Sequence, residues 1–241
     1  MSEYYLKARL MPTVITMIPM VTLYIRLINP LVGEVLEPVW DILPLLTGVS
    51  INVALMFLLV SINRFFSKII FQKIFYQDDL KMPTTDYLLP DNKDLDKASR
   101  NRYYDLILKD FGIEMKKDLK SLKTEQERRI MIARVVGQIR ALLRNNKMLL
   151  QHNIEYGLFR NLVGGSVLAC VFSIALIIAS FLQCNEMMKV TSIIMLVVYL
   201  LPIVFSKPLI KYHGRNYANV LFEQYGSINR QHGNITQPKS E

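Results

Sequence analysis

The sequence predicts an all-α membrane protein in which four transmembrane helices, paired as two hairpins, flank a basic cytoplasmic helical domain. Three observations carry that prediction. Hydrophobic residues fill 51% of the 241 positions and gather in long, almost uncharged runs, the mark of segments that cross a bilayer. The formal net charge is +9, and positions 64–160, between the second and third runs, hold 20 Lys+Arg against 13 Asp+Glu, a net of +7. Finally, the loops inside each pair of runs are poor in Lys and Arg, whereas both ends and the middle are rich in them. By the positive-inside rule both termini and the central domain lie in the cytoplasm of a multi-pass protein. The segments are 1–62 for the first hairpin, 63–161 for the basic domain, 162–205 for the second hairpin, and 206–241 for an amphipathic helix and tail.

The first span is Leu10 to Ile28, kinked by Pro12 and Pro19, with Arg26 able to snorkel at its far end. Lys7 and Arg9 precede it as they would a signal peptide, but no small-residue cleavage site follows, so the run is expected to be retained. Asn29 to Asp41 connects it to the second span, Ile42 to Ile62, which continues into an aromatic and basic juxtamembrane helix through Arg64, Lys68 and Lys73. Lys81 to Pro90 reads as a turn or extended connector. Asp91 or Asp94 is expected to cap a helix that reaches Phe111 and stops at Gly112. A short lysine-rich piece follows, Ile113 to Lys123. Thr124 to Asn153 then reads as one long helix, opened by the capping box Thr124-x-x-Glu127. The third span is Leu162 to Leu182, with Gly164 and Gly165 permitting close helix contact, and the fourth is Val190 to Phe205. Lys211 to Tyr225 is amphipathic, with Tyr217, Leu221 and Tyr225 on one side, and the polar tail from Gly226 is expected to be disordered.

The long helix carries two stripes. Ile132, Val135, Ile139, Leu142, Asn146, Leu149 and Asn153 follow a heptad seam, which packs either inside the domain or between copies; a polar Asn146 at a seam position is a device for setting register and copy number. Arg129, Arg140, Arg144 and Lys147 form a cationic row. Together with Arg128, Arg134, Arg100, Arg102 and Tyr103, it is the expected site for a nucleotide or short nucleic acid, since cations neutralise phosphates and aromatic rings stack on bases. The bland alternatives are a solvated face or a contact with membrane lipid. Four copies facing one axis strengthen the anion site, so a homo-oligomer is expected, a tetramer in preference. For a conduction path the candidates are Thr13 and Thr16 on the first span and Thr47, Ser50, Ala54 and Ser61 on the second, whose competing use is helix–helix packing by small residues. No span carries a central charge, which argues against a proton relay or ion-coupled pump but allows an apolar pore closed by dewetting.

Little points to an enzyme. The three histidines lack metal-ligand spacing, Arg144 and His152 are too far apart for a trusted nuclease pair, and Cys170 and Cys184 suggest neither disulfide framework nor metal site. No catalytic residue, metal or cofactor is expected. Two local patterns, Met82-Pro83-Thr84-Thr85-x-x-Leu88-Leu89 and Asn153-x-x-Tyr156-Gly157-x-x-Arg160-Asn161-Leu162, resemble the membrane effectors of Hailong-type anti-phage systems, as does the layout of two hairpins around a basic domain. That resemblance implies an ion channel of several subunits in the bacterial inner membrane. The resemblance further implies that the channel is held shut by oligodeoxyadenylate made by a partner nucleotidyltransferase, and that its opening depolarises the infected cell in abortive infection. The competing expectation is a membrane-anchored scaffold that docks a partner or nucleic acid and conducts nothing.

Overall fold

A computed structural model describes residues 2–28, 50–69, 76–77 and 80–235, and every regular element among them is helical. Contacts divide the chain into two units. Met1–Phe71 with Gly157–Leu209 forms an apolar unit, and Gln72–Tyr156 with Ile210–Glu241 forms a polar one.

In the apolar unit, α1 runs Glu3–Leu27. Its two prolines each lack the N–H that would bond the carbonyl four residues back, so Ala8 and Ile15 lose a helical donor. Other helices supply the replacements. Asn161 Nδ2 donates to the Ala8 carbonyl at 2.6 Å, and the Tyr199 hydroxyl donates to the Ile15 carbonyl at 2.6 Å. Carbonyls freed by proline inside an apolar layer are thereby paired, which such a layer requires. The local backbone relaxes into wider turns at Leu6–Leu10 and Tyr24–Ile28.

The second apolar run folds as α2, Ser50–Ser67. Positions 42–49 of the expected span lie outside the described residues, and the apolar part that is described, Val53–Ser67, is short for a crossing. Among the described residues three helices are long and apolar enough to cross a membrane: α1, α7 (Lys147–Leu182) and α8 (Glu186–Val204). Asn63 of α2 donates to Thr13 Oγ1 of α1 at 2.8 Å, with both side chains buried. Gly164 and Gly165 of α7 sit against this junction. A Cβ at Gly164 would stand 2.5 Å from Ser67 Cα, and one at Gly165 would stand 2.8 Å from Asn63 Oδ1. The glycines therefore act as expected, by letting helices approach. Between α7 and α8, Asn185 caps α8 by accepting from the Met188 N–H at 3.0 Å.

The polar unit departs from the sequence reading in four places. The connector folds into a single helical turn, α3, Pro83–Asp86, and Thr84, Thr85 and Leu88 are buried in the unit. The next helix, α4, spans Lys97–Phe111 and is capped by Asp96, not by Asp91 or Asp94. The reason is an Asn92 side chain that accepts from the N–H groups of Asp94 and Leu95 at 2.9 and 3.0 Å, holding those residues in a turn. Gly112 stops α4 as expected, in the left-handed region at φ 69°. After α5, Met115–Ser121, comes α6, Glu125–Leu142, with both halves of the Thr124–Glu127 capping box formed at 3.2 and 3.1 Å.

The long helix expected to continue to Asn153 ends at Leu142, and α7 starts afresh at Lys147. Asn146 makes that break. Its side chain accepts from the Leu149 N–H at 2.9 Å, as an N-cap does, and donates to Gln224 at 2.7 Å. Asparagine competes with the helix for backbone bonds, and here its side chain caps the new helix instead of setting a seam. Ile132, Val135, Ile139 and Leu149 are buried in the unit's own core, while Leu142 is 50% exposed. The last helix, α9, runs Ser206–Ile235, through Gly226 and into the stretch expected to be disordered. Tyr217, Leu221 and Tyr225 bury against α4 and α6 as their spacing predicts, and that packing carries a sequence of modest helical preference.

Candidate functional site

A concentration of positive charge in the polar unit follows from helical spacing. Lys97, Arg100, Asn101 and Tyr104 stand at i, i+3, i+4 and i+7 on one face of α4. Lys116 and Lys120 share a face of α5, beside Met115 and Leu119, which are buried and form the apolar part of the same wall. Arg128 enters from the first turn of α6. These side chains, with Pro90 and Asp91, line a cleft of about 570 Å³ that holds five cations against one carboxylate.

The lining residues differ in what they can still offer. Arg100 is buried and donates to the carbonyls of Leu89 and Asn92 at 2.6 and 3.0 Å, so it fixes the wall and contributes charge more than free donors. Tyr104 donates its hydroxyl to the Leu88 carbonyl at 2.6 Å, and burial pushes its phenol up to about 12. Arg128 Nε donates to the Leu122 carbonyl at 3.3 Å. Lys116 shares its ammonium with Asp105 at 3.2 Å on an exposed surface, where such a pair contributes little. Lys97 and Lys120 are exposed and form no ion pair among the described residues.

Of the cations predicted from sequence, only Arg100 and Arg128 line this cleft. The row Arg129, Arg140, Arg144 and Lys147 does not lie on one helix, because the chain turns between Leu142 and Lys147. Arg129 is committed internally: it donates to Asp86 at 2.6 Å, Glu125 at 2.8 Å and the Leu80 carbonyl at 2.8 Å. Arg140 donates to Thr84 Oγ1 at 3.0 Å and lies 5.6 Å over the Tyr217 ring. Arg134 lines a smaller cleft of about 300 Å³ with Arg140. Arg144, Lys147 and Arg102 are exposed, and Tyr103 packs its ring against Phe222 at 5.2 Å, where it braces the core. Lys97, Lys116 and Lys120 are not among the cations expected from the sequence, although Lys97 lies one turn before Arg100 and Lys116 and Lys120 share the i, i+4 spacing of one helix face.

Among the path residues, Thr13 and Thr16 are buried at 1% and 0% exposure and bond the carbonyls of Arg9 and Pro12, which makes them packing residues within this unit. Ala54 and Ser61 are exposed on α2, and Ser61 donates to the Phe57 carbonyl at 2.8 Å. Thr47 and the side chain of Ser50 lie outside the described residues. His152 and His213 both face Glu155, with Nδ1 to Oε2 distances of 3.5 and 4.0 Å. Burial holds His213 below the usual histidine range, and Glu155 opposes that shift. No known protein family, curated protein or solved structure matches this chain.

Proposed function

We propose that this chain is an oligomeric membrane effector whose polar unit binds a phosphate-bearing ligand, a nucleotide or short oligonucleotide, and whose apolar helices form an ion path gated by that ligand. The observation that carries the reading is the cleft of α4 and α5, where Lys97, Arg100, Lys116, Lys120 and Arg128 outnumber Asp91 around a volume of about 570 Å³. Its size suits a small anionic ligand, and its charge balance selects a polyanion over a neutral one. The resemblance of the layout to Hailong-type effectors supports an oligodeoxyadenylate as ligand and depolarisation as outcome. The ligand acts by a population shift: it favours whichever arrangement holds the basic residues closest to its phosphates, and it moves the balance only by its difference in affinity between two states.

The test uses the purified full chain in lipid nanodiscs, titrated with labelled oligodeoxyadenylate at several salt concentrations. Replacing Lys97 and Lys120 together by Gln is expected to weaken binding and to lower the salt slope by about 1.4, since each phosphate contact on a single strand contributes about 0.7. Unchanged affinity and slope would move the ligand away from this cleft. In planar bilayers the oligonucleotide is expected to change the current of the parent protein and not of the variant. Absence of current with and without it would reduce the protein to an anchored docking scaffold.

A further inference from the structure

The apolar unit holds a second group of cations, and its geometry is separate from the cleft. Arg9 stands near the start of α1, Arg64 near the end of α2, and Arg160 just before the apolar half of α7. Their sequence neighbours lock them to one level. Ala8, beside Arg9, accepts at 2.6 Å from Asn161, beside Arg160. Asn63, beside Arg64, donates at 2.8 Å to Thr13, whose own hydroxyl donates to the Arg9 carbonyl at 2.8 Å. Gly157, one turn before Arg160, leaves room for Ala8 and Tyr4, where a Cβ would meet atoms at 3.0 and 3.2 Å.

Three arginines therefore stand at one level, where three helices pass from polar into apolar sequence. All three are half-buried, and the charges of Arg9 and Arg160 both bear on Arg64. Arg9 lies 5.1 Å over the Tyr4 ring, and its Nε is buried without a hydrogen bond. Neither Arg9 nor Arg64 forms an ion pair among the described residues. Like charges drawn together and partly removed from water repel one another unless an anion sits among them. Exposed apolar side chains flank the group: Leu6, Met11 and Phe65. A free phosphate has no use for those, whereas acyl chains cover them.

We propose that Arg9 and Arg64 hold the phosphate of an anionic phospholipid headgroup at the polar end of the apolar unit, with the acyl chains lying along Leu6, Met11 and Phe65. Such a lipid joins α1 and α2 through one anion, and the nearby charge of Arg160 on α7 adds to the field that draws it there. It is a different ligand from the one assigned to the cleft, and neither reading depends on the other.

The experiment compares the purified full chain with its Arg9→Gln and Arg64→Gln variants, using the exposed Arg102→Gln as control. Protein stripped of lipid in mild detergent is given phosphatidylglycerol or phosphatidylcholine, and retained lipid is counted by native mass spectrometry. Thermal unfolding is recorded alongside. The parent protein and the control are expected to retain phosphatidylglycerol in preference and to gain thermal stability from it. Each arginine removed is expected to lower retention about fivefold, the effect of one basic residue at an anionic surface. Excess inorganic phosphate is expected to leave retention unchanged. Equal retention by parent and Gln variants would overturn the site, and displacement by inorganic phosphate would overturn the lipid. If the variants unfold, the parent protein alone decides: equal stabilisation by the two lipids would overturn the proposal.

Discussion

The hydroxyl of Tyr199 offers a test of how the apolar unit is held together. Pro19 gives no N–H to the Ile15 carbonyl, and Tyr199 reaches that oxygen at 2.6 Å. In Tyr199→Phe the ring keeps its contacts with Ala169 and Cys170, so only the hydrogen bond is lost. A buried carbonyl left unpaired costs about 1–3 kcal/mol in water-soluble proteins, and measured couplings between membrane helices average about 0.6 and reach about 1.7 kcal/mol. We expect Tyr199→Phe to lower stability by about 1 kcal/mol. Pro19→Ala restores an N–H four residues after Ile15, so the helix itself can satisfy the carbonyl and the hydroxyl becomes redundant. In that background Tyr199→Phe is expected to cost only a few tenths of a kcal/mol, giving a coupling of about 0.5–1.5 kcal/mol. The assay is unfolding of the four proteins by dodecyl sulfate in mixed micelles, followed by circular dichroism. An equal cost of Tyr199→Phe in the parent protein and in the Pro19→Ala variant would refute the reasoning, because it would mean the proline does not create the need that the tyrosine meets.

Three further outcomes are expected. Gly137, with open space around it, and Gly164, pressed on Ser67, should respond oppositely to alanine in the same unfolding assay: Gly137→Ala stabilises by up to about 1 kcal/mol, and Gly164→Ala destabilises by about 1–3 kcal/mol. Asn146→Ala removes the cap of α7 and the partner of Gln224, and should cost about 1 kcal/mol in denaturant unfolding, whereas a seam residue between copies would change subunit number by light scattering instead. His213 is held below the usual histidine range by burial, so its unfolded form takes up a proton first as pH falls. Melting temperature should therefore decline as pH drops through the ordinary histidine range, and His213→Gln should flatten that decline.

Much of the fold was legible because the signals are local. Three of the long apolar runs, the Thr124–Glu127 box and the Gly112 stop each depend on residues within a few positions of one another, and each appears where the spacing put it. The failures share a different cause. Asn146 fits the seam by spacing, but its role as a cap depends on Gln224, 78 positions away. Asp91 and Asp94 have the right chemistry for a cap, yet Asn92 already holds that turn. The stretch after Gly226 looks too polar to fold, but its helix continues from the face of Tyr217, Leu221 and Tyr225 that the core grips.

The candidate site was less legible, because a cation's identity does not reveal whether its donors are already used. Arg100, Arg129 and Arg140 satisfy carbonyls, carboxylates or hydroxyls of their own unit, and removing any of them would orphan buried acceptors before it touched a ligand. Lys97 and Lys120 meet no such demand, so their charge is available. Arg9 and Arg64 stand apart again: packing of Ala8, Asn63 and Asn161 draws them together, and no carboxylate among the described residues answers them. A chain this basic therefore divides its arginines and lysines into those that build, those whose charge is uncommitted in the cleft, and those that stand at the ends of apolar helices. Only the second and third groups should alter ligand or lipid binding at constant fold. Charge-neutral substitutions across all three, read by stability and binding together, separate them.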